Sequence, residues 1–224
     1  MTRSRIRLAA WIVYAMLWAG GVATKGIAPG TGWASPLFLI VAGSLALYEN
    51  AAAWRVLALA AGLGCGFELI GVHTGLPFGR YAYTSALGPQ FFGVPFTMAC
   101  AWLILIDFVR SVTKSALLGA VVMTVTDLAL DPVTAGPLQY WRWLDSGPYF
   151  GIPWTNYAGW FAASWVILRL LPSAPRGRGL VGWSVVLFFT ALAFRHGLWV
   201  PGICGLAVAV PAGVIAARSP WENR

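Results

Sequence analysis

The stretch SALLGAVVMTVTDLALDPVTA, residues 115–135, decides the fold class of this chain. It is about as long as the ~20 residues that an α-helix needs to cross ~30 Å of hydrocarbon. Its apolar residues run on continuously, whereas a barrel strand would alternate, so the segment predicts a transmembrane helix. Asp127 and Asp131 in its second half are costly inside a bilayer, and such acids indicate a functional site.

The rest of the composition agrees with a membrane protein. Hydrophobic residues make up 59% of the 224 and charged residues 10%, and the mean hydropathy is +0.73, which leaves too little polar surface for a water-soluble globule. We predict an all-α integral membrane protein, a polytopic bundle of about eight transmembrane helices in a single domain, 1–224. The predicted spans are residues 8–24, 36–53, 56–72, 91–109, 115–135, 154–171, 180–194 and 198–217. The short connection at 195–197 keeps seven spans open as the alternative.

Basic residues separate the two sides of the membrane. With eight spans, eleven of the fifteen fall on one side, which places both termini in the cytoplasm of a multi-pass protein of the cell membrane. The net charge of +8 is explained by anionic headgroups, so we expect membrane lipids and no nucleic acid as partners. The sequence leaves open whether the protein forms a homo-oligomer.

Two connections, residues 74–90 and 136–153, are dense in glycine, proline and aromatic residues. Because two spans separate them, both caps lie on the same face of the membrane, the non-cytoplasmic one in this topology. They share a local pattern, GPQFFGVP at 88–95 and GPYFGIP at 147–153, which leaves an internal repeat open. The functional core is predicted at about 56–171.

Glu68, Asp127 and Asp131 fall in the outer third of their spans, close to these caps. Asp127 and Asp131 are spaced i, i+4, so both carboxyl groups lie on one helical face. Two acids so placed do not readily ionise together, and we predict that one of the trio stays protonated and acts as a general acid. The alternative is a buried hydrogen-bond network through Arg80, Arg142 or Asn156, with Asp131 capping a broken turn before Pro132.

The caps supply many aromatic side chains around these acids. Aromatic faces stabilise a developing carbocation, so a carboxylic acid within an aromatic lining favours protonation of an alkene. The run TDLALD at 126–131 weakly resembles the aspartate-rich magnesium sites of membrane prenyltransferases, but those sites need a second acidic cluster. We predict no metal site.

Two motifs resemble the carotenoid biosynthesis family of CruF-type carotenoid hydratases, over roughly residues 60–170. The first comprises Glu68, Gly71, Thr74, Gly75, Pro77, Phe78, Gly79, Tyr81, Tyr83, Leu87, Gly88, Val94, Pro95 and Trp102. The second comprises Asp127, Asp131, Pro132, Val133, Trp141, Trp143, Gly147, Tyr149, Gly151, Pro153, Asn156, Gly159, Trp160 and Phe161.

The resemblance implies a cofactor-independent carotenoid 1,2-hydratase, which adds water to the terminal double bond of an acyclic carotenoid end group. Gamma-carotene, lycopene or a bisanhydrobacterioruberin-like carotenoid is the implied substrate, and it would enter from the lipid. Two alternatives stay open: an end-group cyclase or isomerase that uses the same protonation, and a non-catalytic carotenoid- or lipid-binding protein.

Our mechanistic hypothesis is protonation of C2 followed by attack of water on the tertiary cation at C1. Asp127 or Glu68 is the favoured acid, and Asp131 the base or positioning group. The residues predicted to bind substrate or water are His73, Thr74, Arg80, Tyr81, Tyr83, Trp141, Trp143, Asn156 and Trp160.

Overall fold

The structure, a computed structural model, describes residues 3–26 and 32–218, and these residues form eight α-helices. The helices are α1 (Arg3–Ala23), α2 (Ala34–Glu49), α3 (Trp54–Thr74), α4 (Thr97–Val112), α5 (Ala116–Thr134), α6 (Trp154–Leu170), α7 (Leu180–Arg195) and α8 (Trp199–Arg218). Four short strands lie in the connections between helices: β1 (Tyr81–Tyr83), β2 (Gln90–Phe91), β3 (Val94–Pro95) and β4 (Trp141–Trp143). The all-α class is therefore confirmed.

Four helices in the described part of the chain are long and apolar enough to cross a membrane: α1, α3, α5 and α8. Helices α2 and α7 are apolar but shorter. Large apolar side chains lie exposed on the outer faces, among them Met16, Ile203 and Val210. An exposed apolar surface of this kind suits contact with lipid. The helical membrane protein is thus supported, while the number of crossings and the side of the termini stay predictions.

The predicted fourth span begins too early. Residues 91–96 do not belong to the helix, which starts at Thr97, because β2 and β3 form a hairpin there. Phe92 (φ 47°) and Gly93 (φ 82°) both have positive φ, the backbone of a tight two-residue hairpin turn. The sequence FFGVPF is as apolar as the helix that follows, so hydropathy does not indicate this reversal.

The predicted connection at 195–197 separates two helices. Helices α7 and α8 are distinct and pack against each other, with a turn at Gly197.

The two segments that share a sequence pattern also fold alike. Each runs from a long helix through a strand and a tight turn into a second helix: α3, β1 and α4 in one, α5, β4 and α6 in the other. The turn at Phe150 and Gly151 has the same pair of positive φ angles as the turn at Phe92 and Gly93. These angles, and the common order of elements, support an internal repeat.

Strands β1 and β4 pair with each other and so join the two segments at one end of their helices. They pair antiparallel, with Tyr81 opposite Trp143 and Tyr83 opposite Trp141. Below them Trp102 of α4 stacks on Trp160 of α6, with ring centroids 4.6 Å apart and planes 14° apart. We call the β1–β4 pair the lid.

Candidate active site

Three buried carboxyl groups lie beneath the lid. Glu68 in α3 is 3% exposed, and Asp127 and Asp131 in α5 are 5% and 1% exposed. All three lie in the half of their helix that is nearer the caps, which agrees with the common depth predicted from the sequence. Burial of three acids in one region is costly, and each needs hydrogen-bond donors.

Glu68 receives three hydrogen bonds from aromatic side chains. Its Oε2 accepts from the hydroxyls of Tyr81 at 2.6 Å and Tyr83 at 2.8 Å. Its Oε1 accepts from Nε1 of Trp102 at 3.0 Å. Burial, and then the neighbouring Glu68 carboxyl, raise the pKa of both phenols, so Tyr81 and Tyr83 stay protonated and act as donors. Three donors stabilise the carboxylate form of Glu68.

Asp131 has a similar set of donors from the second segment. Its Oδ1 accepts from Nε1 of Trp141 at 2.8 Å and of Trp143 at 3.3 Å. The amide nitrogen of Asn156 donates both to Asp131 Oδ2 at 2.8 Å and to Asp127 Oδ2 at 2.6 Å. Asn156 therefore bridges the two aspartates, and it is the donor of the hydrogen bond that Asp127 accepts.

The lid supplies these donors because successive side chains of a strand point to opposite faces. Tyr81 and Tyr83 of β1 point down to Glu68, while Ala82 between them is exposed. Trp141 and Trp143 of β4 point down to Asp131 in the same way, and Arg142 is exposed. Each strand thus serves the carboxyl group of its own segment.

A small cavity is lined by two of the three carboxyl residues, Glu68 and Asp131. The space open to the centres of water-sized spheres is ≈ 20 Å³, enough for about one water molecule. Its lining residues are Glu68, Phe78, Tyr81, Tyr83, Met98, Asp131, Trp141, Trp143, Asn156 and Trp160. Eight of the predicted catalytic and binding residues therefore meet around one cavity, and Asp127 is hydrogen-bonded to one of them, Asn156.

Three predicted binding residues lie away from this cavity. The ring Nδ1 of His73 is 2.9 Å from the carbonyl of Leu69, and the Thr74 hydroxyl donates to the carbonyl of Ile70. Both side chains are exposed at the end of α3, because five and six residues after Glu68 the helix presents another face. Arg80 is exposed and pairs with Asp145 on the outer side of the lid.

The hydrogen-bond network that we kept as an alternative is present in part. Asn156 belongs to it, but the donors to the three carboxyls in the described residues are hydroxyl, indole and amide groups, and neither Arg80 nor Arg142 is among them. The cap role suggested for Asp131 is not seen, since α5 continues through Pro132 to Thr134.

Trp102 and Met98 belong to the site, but their positions in the sequence do not predict a role for them. Trp102 donates to Glu68 and is fully buried. The available signal is Gly64, which lies one turn before Glu68: a Cβ at that position would collide with the Trp102 indole. A glycine on the same helical face as a buried acid indicates close approach of a neighbouring side chain.

Comparison with known proteins identifies the family. The family described as carotenoid biosynthesis protein matches residues 31–212. A bisanhydrobacterioruberin hydratase of Haloarcula japonica is 30% identical over 211 residues, which covers 83% of this chain and 68% of that protein. No solved structure matches. The family match takes in both segments, the lid and all three buried acids, and the chain therefore belongs to the carotenoid biosynthesis family that its two motifs resemble.

Proposed function

We propose that this protein is a carotenoid 1,2-hydratase, which adds water across the terminal double bond of an acyclic carotenoid end group. The proposal has two supports. One is the similarity to the hydratase of Haloarcula japonica. The other, which carries the proposal, is the pair of carboxyl residues, Glu68 and Asp131, that line one cavity with room for about one water molecule.

The charge balance of the site suggests which acid donates a proton and which accepts one. Three ionised carboxylates buried without a cation would cost far more free energy than hydroxyl, indole and amide donors return. At least one proton therefore stays in the site. Glu68, with three donors of its own, is the acid best stabilised as a carboxylate. Asp131 has the Trp141 and Trp143 indoles and shares the amide nitrogen of Asn156 with Asp127, which accepts from that amide alone among the described residues. The two aspartates therefore have fewer donors per carboxyl group than Glu68, and they hold the proton between them.

The reaction needs one proton donor and one proton acceptor. We assign the proton donor to Asp131 and not to Asp127 or Glu68 as expected from the sequence, because Asp127 is not among the residues that line the cavity and Glu68 has three donors of its own. Asp131 gives the proton of the aspartate pair to C2 of the alkene, and the two electrons of the double bond form the new C–H bond. A tertiary cation remains at C1. The oxygen of water attacks C1 while Glu68 accepts a proton from that water. The product is a tertiary alcohol, and the proton returns from Glu68 to the aspartate pair through water, so the cycle is balanced without a redox cofactor.

The aromatic lining serves the cation. Trp141, Trp143 and Trp160 line the cavity, and their ring faces attract positive charge in a site without a competing Lys or Arg donor among the described residues. Tyr81 and Asn156 each contact a carboxyl group and also line the cavity, so they are placed to orient water. A lining with these polar groups favours hydration over ring closure, which needs a dry pocket.

The substrate is a lipid-soluble, acyclic end group such as that of lycopene, gamma-carotene or bisanhydrobacterioruberin. The cavity is too small for such a group, so the described conformation is a closed one and the helices or the lid must separate to admit it. Entry is lateral, from the bilayer, because a long hydrocarbon has negligible concentration in water. If both termini lie in the cytoplasm, as the distribution of basic residues predicts, the lid lies on the non-cytoplasmic side.

Pigment analysis tests the proposal. Cells that accumulate lycopene, gamma-carotene or bisanhydrobacterioruberin would express the full chain, and the pigments would be analysed by mass. We expect a product heavier by one water, and loss of that product with Glu68→Gln and with Asp131→Asn. Asp107→Asn is the matched control, since Asp107 is equally buried but lies at the other end of the molecule.

Other outcomes contradict the proposal. A product of unchanged mass would indicate cyclisation or isomerisation. Unchanged pigment, with the protein present in the membrane and all three substrates supplied, would indicate binding without catalysis. Hydration that persists in both carboxamide variants would refute the proton-transfer mechanism.

A further inference from the structure

A second, polar pocket lies at the end of the molecule opposite the lid. It is enclosed by the turn between α4 and α5 and by the linker between α6 and α7, residues 171–179. The space open to the centres of water-sized spheres is ≈ 200 Å³, ten times that of the cavity beneath the lid. Its polar lining includes Arg110, Thr113, Lys114, Ser115, Ser173 and Arg176. We call it the basic pocket.

Arg110 in the wall of the basic pocket forms no salt bridge with a described residue, and the Asp107 carboxyl attracts it only from beyond ion-pair distance. Its side chain is 9% exposed, its Nη2 donates to the carbonyl of Ala174 at 3.1 Å, and its Nη1 is buried without a hydrogen-bond partner. Asp107, one turn earlier in α4, instead accepts a hydrogen bond from Asn50 at 2.8 Å. A buried guanidinium with an unused donor is unfavourable unless an anion completes its environment.

Three further features of the pocket favour an anion. Lys114 and Arg176 are exposed on its rim, so three cations converge on it, and among the described residues no carboxyl group lines it. Helix α5 begins at the pocket, and its first N–H groups and its dipole favour negative charge. Ser115 caps this helix by accepting from the backbone N–H of Leu118, and the preceding N–H groups of the first turn remain available.

The position of the pocket identifies the source of the anion. Asp131 lies sixteen residues after Ser115 along α5, about 24 Å at 1.5 Å per residue, so the basic pocket lies at the opposite membrane interface from the lid. Leu117 and Leu118 beside it are 58% and 50% exposed, and Leu170 is 61% exposed. Exposed leucines next to a cationic pocket suit a ligand with both a phosphate and acyl chains.

We infer that the basic pocket binds the phosphate of an anionic phospholipid headgroup. The phosphate contacts Arg110 and the N-terminus of α5, Lys114 and Arg176 close over it, and the acyl chains lie along the exposed leucines. The site is separate from the carboxyl groups beneath the lid. A bound lipid here holds the α4–α5 turn and the 171–179 linker together.

Native mass spectrometry of the full chain in detergent tests this inference. The probes are dioleoyl phosphatidylglycerol and dioleoyl phosphatidylcholine, with inorganic phosphate as a competitor. The test variant is Lys114→Gln with Arg176→Gln, because both side chains are exposed and their replacement does not disturb the core. The matched control is Arg55→Gln with Arg169→Gln, two exposed cations of the same end that do not line the pocket.

We expect one phosphatidylglycerol to remain bound to the wild type and to the control. The test variant should bind it roughly 30-fold more weakly, from a factor of about five for each cation lost. Three results would overturn the inference: equal retention of phosphatidylcholine, equal weakening in the control, which would indicate a diffuse surface charge, or displacement of the lipid by millimolar inorganic phosphate, which would indicate a soluble ligand.

Discussion

The two ends of this molecule handle buried charge in opposite ways. Beneath the lid, three acids are surrounded by neutral donors, the hydroxyls, indoles and amide of Tyr, Trp and Asn side chains. At the basic pocket, three cations meet, and the part of the chain that the structure describes contributes no carboxyl group to the lining. A neutral donor stabilises a carboxylate without fixing its charge, so an acid in such surroundings can still release or hold a proton. An uncompensated cluster of cations can only attract an anion.

Asp107 sharpens this contrast because it is an acid of the same burial at the second end. Its partner is the amide of Asn50, as Asn156 is the partner of the aspartates beneath the lid. Its charged neighbour among the described residues is the cation Arg110, whereas Asp127 and Asp131 have each other, and Asp107 lines neither the cavity beneath the lid nor the basic pocket. Asp107 thus has burial and an amide partner in common with the aspartates beneath the lid, and it differs from them in its charged neighbour and in lying outside the water-sized cavity.

The largest expected effect is on the acid itself. Asp131→Asn keeps the shape of the side chain but removes the transferable proton, and we expect turnover to fall by about 10² to 10⁴. Rates of hydration in isolated membranes measure it. Asp107→Asn, assayed at a temperature where both variants are folded, should keep wild-type turnover. Equal losses in the two variants would show that the ends do not differ in the way described.

The second largest effect is expected for the tyrosine hydroxyls of the lid, which donate to Glu68. Tyr81→Phe and Tyr83→Phe each remove one hydrogen bond to Glu68 Oε2, and a hydrogen bond to a charged group contributes about 1.5 to 3 kcal/mol. We expect turnover to fall by about tenfold or more in each variant. Tyr140→Phe is the matched control, because its hydroxyl donates to Ser35 and not to Glu68. Wild-type rates in both lid variants would mean that the phenols only fill space.

A smaller effect is expected on stability from two glycines of α3. Gly64→Ala places a methyl group against the Trp102 indole, which should cost about 1 to 3 kcal/mol and displace the donor of Glu68. Gly66→Ala on the same helix meets no atom within 4 Å, and the better helix propensity of alanine should stabilise by up to about 1 kcal/mol. Thermal melting in detergent should therefore shift in opposite directions. Shifts of the same sign would contradict the close approach of α3 and α4.

The smallest effect is expected on the outer surface of the lid. Hydrogen bonds from the Arg80 side chain and backbone lower the pKa of Asp145 below its ordinary value. The pair therefore stabilises the fold above the ordinary carboxyl pKa of about 3.9, and this contribution disappears as the pH falls through the lowered pKa. Asp145→Asn should give a slightly lower melting temperature at neutral pH and a smaller further fall in acid. An equally steep acid dependence in the variant would refute this role.

The helices of this protein were predictable because the bilayer sets their length. The span predicted at 115–135 is observed as Ala116–Thr134. The hairpin at 90–95 was not predictable in this way, because its residues are as apolar as the helix that follows. Its reversal depends on the backbone angles of Phe92 and Gly93, which hydropathy does not report.

The acids of the site were also predictable, because an intramembrane carboxyl group is rare and costly. Their partners were less so. His73 and Thr74 are near Glu68 in sequence but on another helical face, whereas Trp102, the donor to Glu68 from α4, lies 34 residues away. The pairing of β1 with β4 joins residues about 60 apart, and no local pattern identifies a strand's partner over that distance.

The lid also restricts how the length of this chain can vary. Glu68 precedes Tyr81 by 13 residues and Asp131 precedes Trp141 by 10, so the two segments already differ in the loop before the strand. One residue inserted within Tyr81–Tyr83 or Trp141–Trp143 would turn the donors outward and bring Ala82 or Arg142 over the carboxyl groups. Insertions and deletions among relatives should therefore accumulate in the loops, while each three-residue strand keeps its length through evolution.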